Sequence, residues 1–465
     1  MDAIAGALAG PSPFAFVFVY ARGRSGKRSG TARSIVESRD SSTSRMGTRT
    51  VNHHEDVIIL GDGAAGVAAA HASLRLGVRP LLISLGNGAT TLYSGCLDHG
   101  VWNLHPRSSS LDERQKEFID AIDIWCVDPE KTRVATLAGV VRTADAADRA
   151  LLNLASHKNE TILVPRIDRP NWDADFLARS WSEDLWCREQ GLRFESFDAS
   201  SLDDDRMRFG SDTEIAFHLD SPEGRTKFGE HLSAEVQRHG GGKSVLLGPW
   251  LGIDTPVASI LTNHIGIQIG EACAGLGSTA GARWEHAANR WLTQQRITRI
   301  QDRVQRLEQV DGDWNVHVSQ SKRPYQAKAV VVATGGIAGG GIILTSGEPQ
   351  EGNEQSFSPA HPFSLSYRGP LVLTVDGRIS ETVASLHGFN LERLAWPRDD
   401  HGVWWMDRIN VLRDGVQVLD ASNNPLAGLF VAGELALKRP AASLASIATG
   451  VEAGTAAARY VLTNA

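Results

Sequence analysis

The chain has 465 residues, of which 42% are hydrophobic and 22% charged, and a formal net charge of −7, so it can bury a large core and shows no charge pattern typical of nucleic-acid binding. Its four cysteines (Cys96, Cys126, Cys187 and Cys273) lie far apart without a C-x-x-C pair, which argues against a disulfide framework, a zinc site or an iron–sulfur site and favours a reducing cytoplasm. No apolar run approaches the roughly 20 residues of a membrane-spanning helix, so we expect any membrane contact to be peripheral or through a partner.

The first 50 residues differ in composition from the rest. Arginine and lysine lie there among Ser, Gly and Thr, and only Asp2, Glu37 and Asp40 oppose them. We predict that residues 1–50 are a disordered basic extension, or an over-extended start with Met46 as the initiator. The alternative is a targeting segment, since Arg- and Ser-rich leaders with few acidic residues have this composition.

A glycine motif follows at Gly61, Gly63 and Gly66, between the apolar run 56–60 and an alanine-rich stretch that ends at Gly77. Strand, glycine turn and helix in this order open a dinucleotide-binding fold. We expect Gly61 to make the tight turn, Gly63 to let the backbone approach a pyrophosphate, and Gly66 to let helix and strand pack closely.

The start of this helix and the end of the next strand complete the predicted site. Ala64 and Ala65 open the helix, whose free N–H groups would face the phosphates. The strand at 80–84 ends in Ser84, where such folds usually carry Asp or Glu for the adenosine ribose. The serine indicates a weaker ribose contact, a nucleotide half that is bound differently, or a cofactor that lacks this half.

The loop 86–98 is rich in glycine and hydroxyl side chains, including Ser94 and Gly95. It leaves the strand edge at which open α/β sheets bind cofactors, so we predict that its backbone approaches the ligand. A plain surface turn is the alternative.

Residues 146–300 have the pattern of a separate α/β unit. The runs 161–165 and 244–248 are typical of short buried strands, and 217–236 has helical spacing interrupted at 222–224.

A further helix is predicted over 284–296, after a glycine-rich stretch. We expect Trp284 and Trp291 on this helix to pack in the core. Arg283, at its start, would either hold an anion or be a solvated side chain.

An antiparallel meander is predicted over 303–318, with its turn at 311–313. The apolar run 329–333 follows, as a buried parallel strand would. It ends in Thr334 and Gly335, and these small residues would let the chain pass close to a dinucleotide.

The last predicted unit is a strand over 425–431 that leads to Gly433 and Glu434, followed by a small-residue helix from Ser443. We expect this helix to aim its N–H groups at the same ligand.

Residues 346–415 would cover the substrate side of the site. His361, His387 and Arg368 are the catalytic candidates there. Each is equally well explained as a structural residue, and no spacing singles out one histidine as a general base.

Together, these elements resemble the fumarate-reductase-like FAD-binding proteins and, more closely, the B subunits of anaerobic glycerol-3-phosphate dehydrogenases. The chain departs from that family after Gly433, where 434–440 replaces a glycine-rich stretch. The matching stretches run in order through most of 55–465, namely 57–66, 90–98, 245–252, 275–283, 330–341 and 428–433.

The resemblance implies an α/β, Rossmann-like two-dinucleotide-binding flavoprotein fold with an inserted α/β domain. The flavin-binding domain would comprise 51–145, 301–345 and 416–465. An inserted substrate or partner domain would span 146–300, and a covering segment would span 346–415.

The resemblance also implies a flavin-dependent oxidoreductase that binds FAD, with FMN as the alternative that would agree with Ser84. It implies a subunit of an anaerobic-type glycerol-3-phosphate dehydrogenase that passes electrons toward quinone. The resemblance implies a small-molecule substrate, a catalytic partner subunit and an iron–sulfur partner subunit. The chain would then lie in the cytoplasm, or at the inner face of the cell membrane through those partners. The alternatives are a self-contained FAD-dependent dehydrogenase or reductase of another small substrate, and a non-catalytic assembly subunit.

Overall fold

The computed structural model of the protein describes residues 54–86, 88–98, 111–127, 132–275, 277–344, 363–375, 378–379, 409–437 and 443–464. The prediction for residues 1–50 lies outside this part of the chain, as do most of residues 346–415.

The described chain mixes strands and helices, as in an α/β protein. The strands are β1 (His54–Leu60), β2 (Leu81–Ser84), β3 (Cys96–Leu97), β4 (Trp125–Cys126), β5 (Thr132–Ala135), β6 (Val141–Ala144), β7 (Ala146–Asp148), β8 (Thr161–Arg166), β9 (Arg193–Asp198), β10 (Ser244–Leu247), β11 (Gln268–Glu271), β12 (Thr298–Gln301), β13 (Val304–Val310), β14 (Asp313–Val318), β15 (Tyr325–Val332), β16 (Ile342–Leu344), β17 (Phe363–Leu365), β18 (Leu373–Val375), β19 (Arg378–Ile379), β20 (Ile409–Val411), β21 (Arg413–Asp414), β22 (Gln417–Leu419) and β23 (Pro425–Val431). The helices are α1 (Ala64–Arg75), α2 (Glu113–Ile122), α3 (Ala174–Glu183), α4 (Leu185–Glu189), α5 (Asp205–Phe209), α6 (Asp212–Asp220), α7 (Pro222–Arg238), α8 (Val257–Ile265), α9 (Thr279–Gln294) and α10 (Ser443–Thr463).

The main sheet joins strands from distant parts of the sequence in the order β12-β2-β1-β15-β23-β22-β21. From β12 to β23 all neighbours are parallel, so the carboxyl ends of these strands meet at one edge of the sheet. The antiparallel pair β13–β14 joins the sheet through β15, which confirms the predicted meander. Both faces of the central strands are buried, which explains their continuous Val, Ile and Leu runs.

Two helices pack against one face of this sheet almost backbone to backbone. α1 is alanine-rich, and its residues from Ala64 to Ser73 are buried. A Cβ on Gly450 of α10 would overlap the carbonyl oxygen of Ala65, and one on Gly454 would overlap that of Ala69. The Ser73 hydroxyl donates a hydrogen bond to the Gly454 carbonyl at 3.1 Å. The small residues of both helices therefore set the close contact between them.

A second sheet lies within residues 146–300, with the all-parallel order β11-β10-β8-β9. It has a hydrophobic core of its own that includes Trp172, Trp181 and Trp250. Together, the two sheets confirm the predicted fold class, a Rossmann-like dinucleotide-binding fold with an inserted α/β domain. Among the described residues, no helix has both the length and the apolar character needed to cross a membrane.

The structure confirms a break in the helical stretch 217–236 and places it at Ser221 rather than at 222–224. Helix α6 ends at Asp220, and Pro222 begins α7. The side chain of Ser221 caps α7 by accepting a hydrogen bond from the Gly224 N–H at 3.1 Å. Proline is suited to the first position of a helix because its missing N–H would have no partner there.

Candidate functional site

A cavity of about 850 Å³ opens at the carboxyl edge of the main sheet. This volume is within the range of roughly 300–1,000 Å³ that is usual for small-molecule and cofactor sites. Its walls come from the ends of β1, β2, β12 and β15, the loop after β2, the loop after β23, and the first turns of α1 and α10.

Most of the predicted cofactor-binding residues line this one cavity, although they come from positions nearly 400 residues apart. They are Gly61, Gly63, Ala64, Ala65, Ser84, Ser94, Thr334, Gly335, Gly433 and Glu434.

Two predicted residues, Gly66 and Gly95, do not line the cavity. A Cβ on Gly66 would overlap the Gly61 carbonyl, so this glycine serves the predicted helix–strand packing. Gly95 has φ +102° and packs against Leu151. Helix α10 begins at Ser443, and Ser446, one turn later, lies in the cavity wall.

The start of α1 forms one wall. Gly63 is the N-cap residue and offers no side-chain cap, and the first turn carries no acidic residue. The Ala64 N–H donates a hydrogen bond to Thr90 Oγ1 at 3.0 Å, which holds the loop after β2 against the helix start. Such a helix end is suited to an anionic ligand, because its N–H groups and partial positive charge face the same space.

Asp62 lies at the end of the cavity nearest to β2, and the sequence motif had assigned it no role. Its Oδ2 accepts hydrogen bonds from the hydroxyl of Ser84 and the guanidinium of Arg299, each at 2.9 Å. Its Oδ1 is buried and has no hydrogen-bond partner among the described residues. A buried carboxylate oxygen of this kind favours a ligand that donates a hydrogen bond, such as a sugar hydroxyl.

Glu434 stands at the opposite side of the cavity, just after β23. The Gly336 N–H donates to its Oε2 at 2.5 Å, and a Cβ on Gly336 would overlap this oxygen. Burial raises the pKa of Glu434, and the hydrogen bond from Gly336 only partly opposes this shift. The neutral carboxyl is therefore favoured over a wider pH range than in water, and it can donate its O–H.

Asp98 and Arg142 form an ion pair in the cavity wall beside Cys96. The carbonyl of Asp98 accepts a hydrogen bond from the Leu444 N–H at 3.1 Å. The start of α10 is therefore tied to the loop that carries Cys96 and Asp98.

Arg283 is not a solvated side chain, and the anions that it holds are carboxylates of the chain itself. Helix α9 begins at Thr279 rather than at Trp284, which places Arg283 in its second turn, 5% exposed. Its guanidinium donates to both oxygens of Glu271, at 2.6 and 2.8 Å, and to the carbonyl of Gly252 at 2.7 Å.

The network around Arg283 extends to the cavity wall. Arg283 contacts Asp148 at 3.3 Å, and the Tyr93 hydroxyl lies 3.4 Å from the same carboxylate. Burial and the charge of Asp148 hold the pKa of Tyr93 well above its usual range. Tyr93 lines the cavity, so these contacts connect β11 of the second sheet with the loop after β2.

The tryptophan side chains near this network pack as predicted. Trp284 stacks on Trp125 with ring centroids 5.3 Å apart, and Trp291 is 5% exposed.

The catalytic candidates from the covering segment stay predictions. His361 and His387 lie outside the described residues. Arg368 is exposed on a bridge with Arg306 and does not line the cavity, although its neighbour Tyr367 does. In the described part of the chain, no group of His, Cys, Asp and Glu is arranged to hold a metal ion.

Comparisons with known proteins give only a general likeness. No family model and no curated protein matches the chain. Among solved structures, 3-ketosteroid Δ1-dehydrogenase from Sterolibacterium denitrificans matches over 89% of this chain and 100% of its own, at 10% identity and a TM-score of 0.35.

Two further structures are similar to the same extent. A flavocytochrome c3 fumarate reductase matches over 88% of this chain and 79% of its own, at 12% identity and a TM-score of 0.33. The Sdh1 complex of Mycobacterium smegmatis matches over 88% and 69%, at 14% identity and a TM-score of 0.31. Likeness at this level carries no argument about function, which has to come from the residues of the site.

Replacing Arg283 with methionine tests the buried network. The change leaves Glu271 and Asp148 buried without the cation that both contact. Removing one partner of a buried ion pair costs about 3–5 kcal/mol. We expect Arg283→Met to lower the free energy of unfolding by this amount in urea titrations followed by tryptophan fluorescence.

The matched control is Arg290→Met on the same helix, because Arg290 forms an exposed pair with Asp254. Exposed pairs contribute about 0–1 kcal/mol. An Arg283→Met protein as stable as the Arg290→Met protein would contradict the structural role of the network.

Proposed function

We propose that this chain is an FAD-dependent oxidoreductase whose cofactor lies in the cavity at the carboxyl edge of the main sheet. The observation that carries the proposal is the arrangement along this cavity: the orphaned Oδ1 of Asp62, then the start of α1, then Glu434 and the start of α10. This order suits an extended ligand with a ribose at one end, a pyrophosphate in the middle and a polar ring system at the other end.

The residues present fit FAD part by part. Asp62 and Ser84 would hold the hydroxyls of the adenosine ribose, and the first turn of α1 beside the Ala64–Thr90 hydrogen bond would hold the pyrophosphate. The missing side chain of Gly63 leaves room for the phosphates. When bound, the flavin supplies the redox chemistry, and the protein supplies position and electrostatics.

The ring end of the cavity offers groups that can bind and orient a flavin. Glu434, whose pKa is raised by burial, Ser94 and Ser446 all offer polar groups to the cavity. The buried Tyr93 and Tyr367 wall this part of the cavity.

FMN is the second candidate cofactor, because Ser84 replaces the usual ribose-binding acid. Asp62 favours FAD, because it brings a carboxylate to the predicted ribose site from the second position of the glycine motif. Its carboxylate also accepts the hydrogen bond of the Ser84 hydroxyl.

Within this class, the proposed role is that of a subunit of an anaerobic-type glycerol-3-phosphate dehydrogenase that passes electrons toward quinone. The resemblance of the loop 90–98 and of the stretches near Gly66, Gly341 and Gly433 supports it. In this role the chain would lie in the cytoplasm or at the inner face of the cell membrane, bound to catalytic and iron–sulfur partner subunits.

The few described cationic side chains that line the cavity support oxidation of glycerol 3-phosphate on a catalytic partner subunit rather than on this chain. Among the described residues that line the cavity, the cations are Arg142 and Arg303, and Arg142 is paired with Asp98. A phosphate-bearing substrate needs clustered Arg or Lys side chains. A self-contained dehydrogenase of another small substrate is the alternative that these charges leave open.

The first test is the cofactor itself. We expect purified protein to show a flavin absorption spectrum and to release FAD, identified by mass, at close to one molecule per chain. Gly63→Val should abolish binding, because the added side chain would stand where the phosphates meet the backbone. Asp62→Ala should weaken FAD binding roughly ten- to a hundredfold, the usual effect of losing a hydrogen bond to a charged group.

The matched control is Gly275→Val, since Gly275 does not line the cavity and a Cβ there meets no atom within 4 Å. It should bind FAD like the wild-type chain. Release of FMN, or full FAD occupancy in the Gly63→Val variant, would contradict the proposed binding mode.

The second test concerns the proposed subunit role. We expect the purified chain alone not to reduce a dye with glycerol 3-phosphate, because the electrons from this substrate would enter through a catalytic partner. Dye reduction with glycerol 3-phosphate should appear when the candidate partner subunits are added. Rapid dye reduction by the lone chain would favour the self-contained dehydrogenase instead.

A further inference from the structure

Two cysteines from distant parts of the chain meet beside the proposed flavin site. Cys96 on β3 and Cys273, two residues after β11, are 177 positions apart, and their Sγ atoms are 3.7 Å apart. Both are buried, at 4% and 2% exposure. Cys96 also lines the cavity. The pair therefore lies between the cavity and the second sheet.

The backbone on each side of this pair is held by hydrogen bonds. Cys96 pairs with Ala147 of β7, and the Cys273 N–H donates to the carbonyl of Ala135 at 2.7 Å. The Cys273 sulfur also lies 3.3 Å from the carbonyl oxygen of Ser94. These contacts hold the two sulfurs next to each other, and a disulfide length of about 2.05 Å requires them to approach by about 1.7 Å.

The two thiols are linked to each other and lie near the Arg142–Asp98 ion pair. The sulfur–sulfur hydrogen bond couples the two thiols, lowering the pKa of Cys273 and raising that of Cys96. The guanidinium of Arg142 favours the Cys273 thiolate, and the carboxylate of Asp98, its ion-pair partner, opposes it. Burial also raises the pKa of Cys187, to about 12.

We propose that Cys96 and Cys273 are a redox-active dithiol that forms a disulfide in the wall of the cofactor cavity and exchanges two electrons with the flavin. The exchange with flavin rests on the proposed function; the formation of the disulfide does not. As the S–S bond forms, the two thiols lose two protons and two electrons, and an oxidised flavin takes up both. No other atom is transferred, so the step is balanced with the cofactor as the only oxidant.

The dithiol would give the chain a second site that holds two electrons, next to the proposed flavin. A chain without iron–sulfur ligand motifs could then hold electrons from a partner until the next carrier is bound. The disulfide would also draw Cys96 toward Cys273 and away from the cavity.

The first experiment tests the disulfide without relying on bound flavin. The full chain with Cys126→Ser, which removes the exposed thiol, is reduced, freed of reductant and treated with diamide, an azo compound that takes two electrons and two protons from a pair of thiols. The protein is then unfolded, alkylated with N-ethylmaleimide and digested for peptide mass analysis.

We expect one reversible cross-link between the peptides that carry Cys96 and Cys273, with Cys187 alkylated. Cys273→Ser in the same background should abolish the cross-link, and Cys187→Ser, the matched control, should keep it. Alkylation of both Cys96 and Cys273 after diamide treatment, or a cross-link to Cys187, would overturn the proposal.

The second experiment tests the exchange with flavin by anaerobic titration with dithionite. Air-oxidised holoprotein should take up four electrons per flavin, and the Cys96→Ser holoprotein should take up two. Uptake of two electrons by both would overturn the exchange. A protein that forms the disulfide with diamide but carries no flavin would contradict the proposed function. It would still support the formation of the Cys96–Cys273 disulfide.

Discussion

The structure depends on backbone contacts that only residues without bulky side chains allow. Gly66 packs on the carbonyl of Gly61, and Gly450 and Gly454 pack on the backbone of α1. These contacts bring α1 and α10 together on one face of the main sheet. Because both helices start at the carboxyl edge of the sheet, their N-termini face the same cavity, which is the physical basis of the proposed phosphate and flavin site.

A second constraint connects the inserted sheet to this cavity. Arg283 would be costly to bury alone, but it is held by Glu271 and Asp148, and Asp148 contacts Tyr93 in the cavity wall. Burial raises the pKa of Glu271, and Arg283 opposes the shift. The network therefore places the loop after β2 and fixes its position relative to the second sheet. The same loop carries Cys96, so the proposed dithiol is positioned by the same contacts.

Much of the fold could be predicted from local patterns. The glycine spacing at Gly61, Gly63 and Gly66, the continuous apolar runs and the meander each depend on neighbours in sequence, and the structure confirms them. The prediction of Trp284 and Trp291 as packing residues was also correct, because large aromatic side chains on a helix face usually lie in a core.

The parts that could not be predicted depend on contacts between distant positions. Asp62 received no role, because the motif leaves its second position open and the contact to Arg299 spans 237 residues. Arg283 was placed at a helix start, since the glycines before it hid the first turn of α9. The contact between Cys96 and Cys273 could not be predicted from local sequence, because it depends on how β3 and β11 lie in the folded chain.

Hydrogen exchange of the FAD-loaded and FAD-free chain tests the central claim most directly. FAD should slow exchange in peptides that cover 61–66, 334–341 and 443–450, because these segments would contact the cofactor from three sides. Peptides that cover β8 and β10 of the second sheet should exchange at the same rate in both states. Binding of FAD without protection of 61–66, or protection confined to the second sheet, would contradict the placement of the cofactor at the edge of the main sheet.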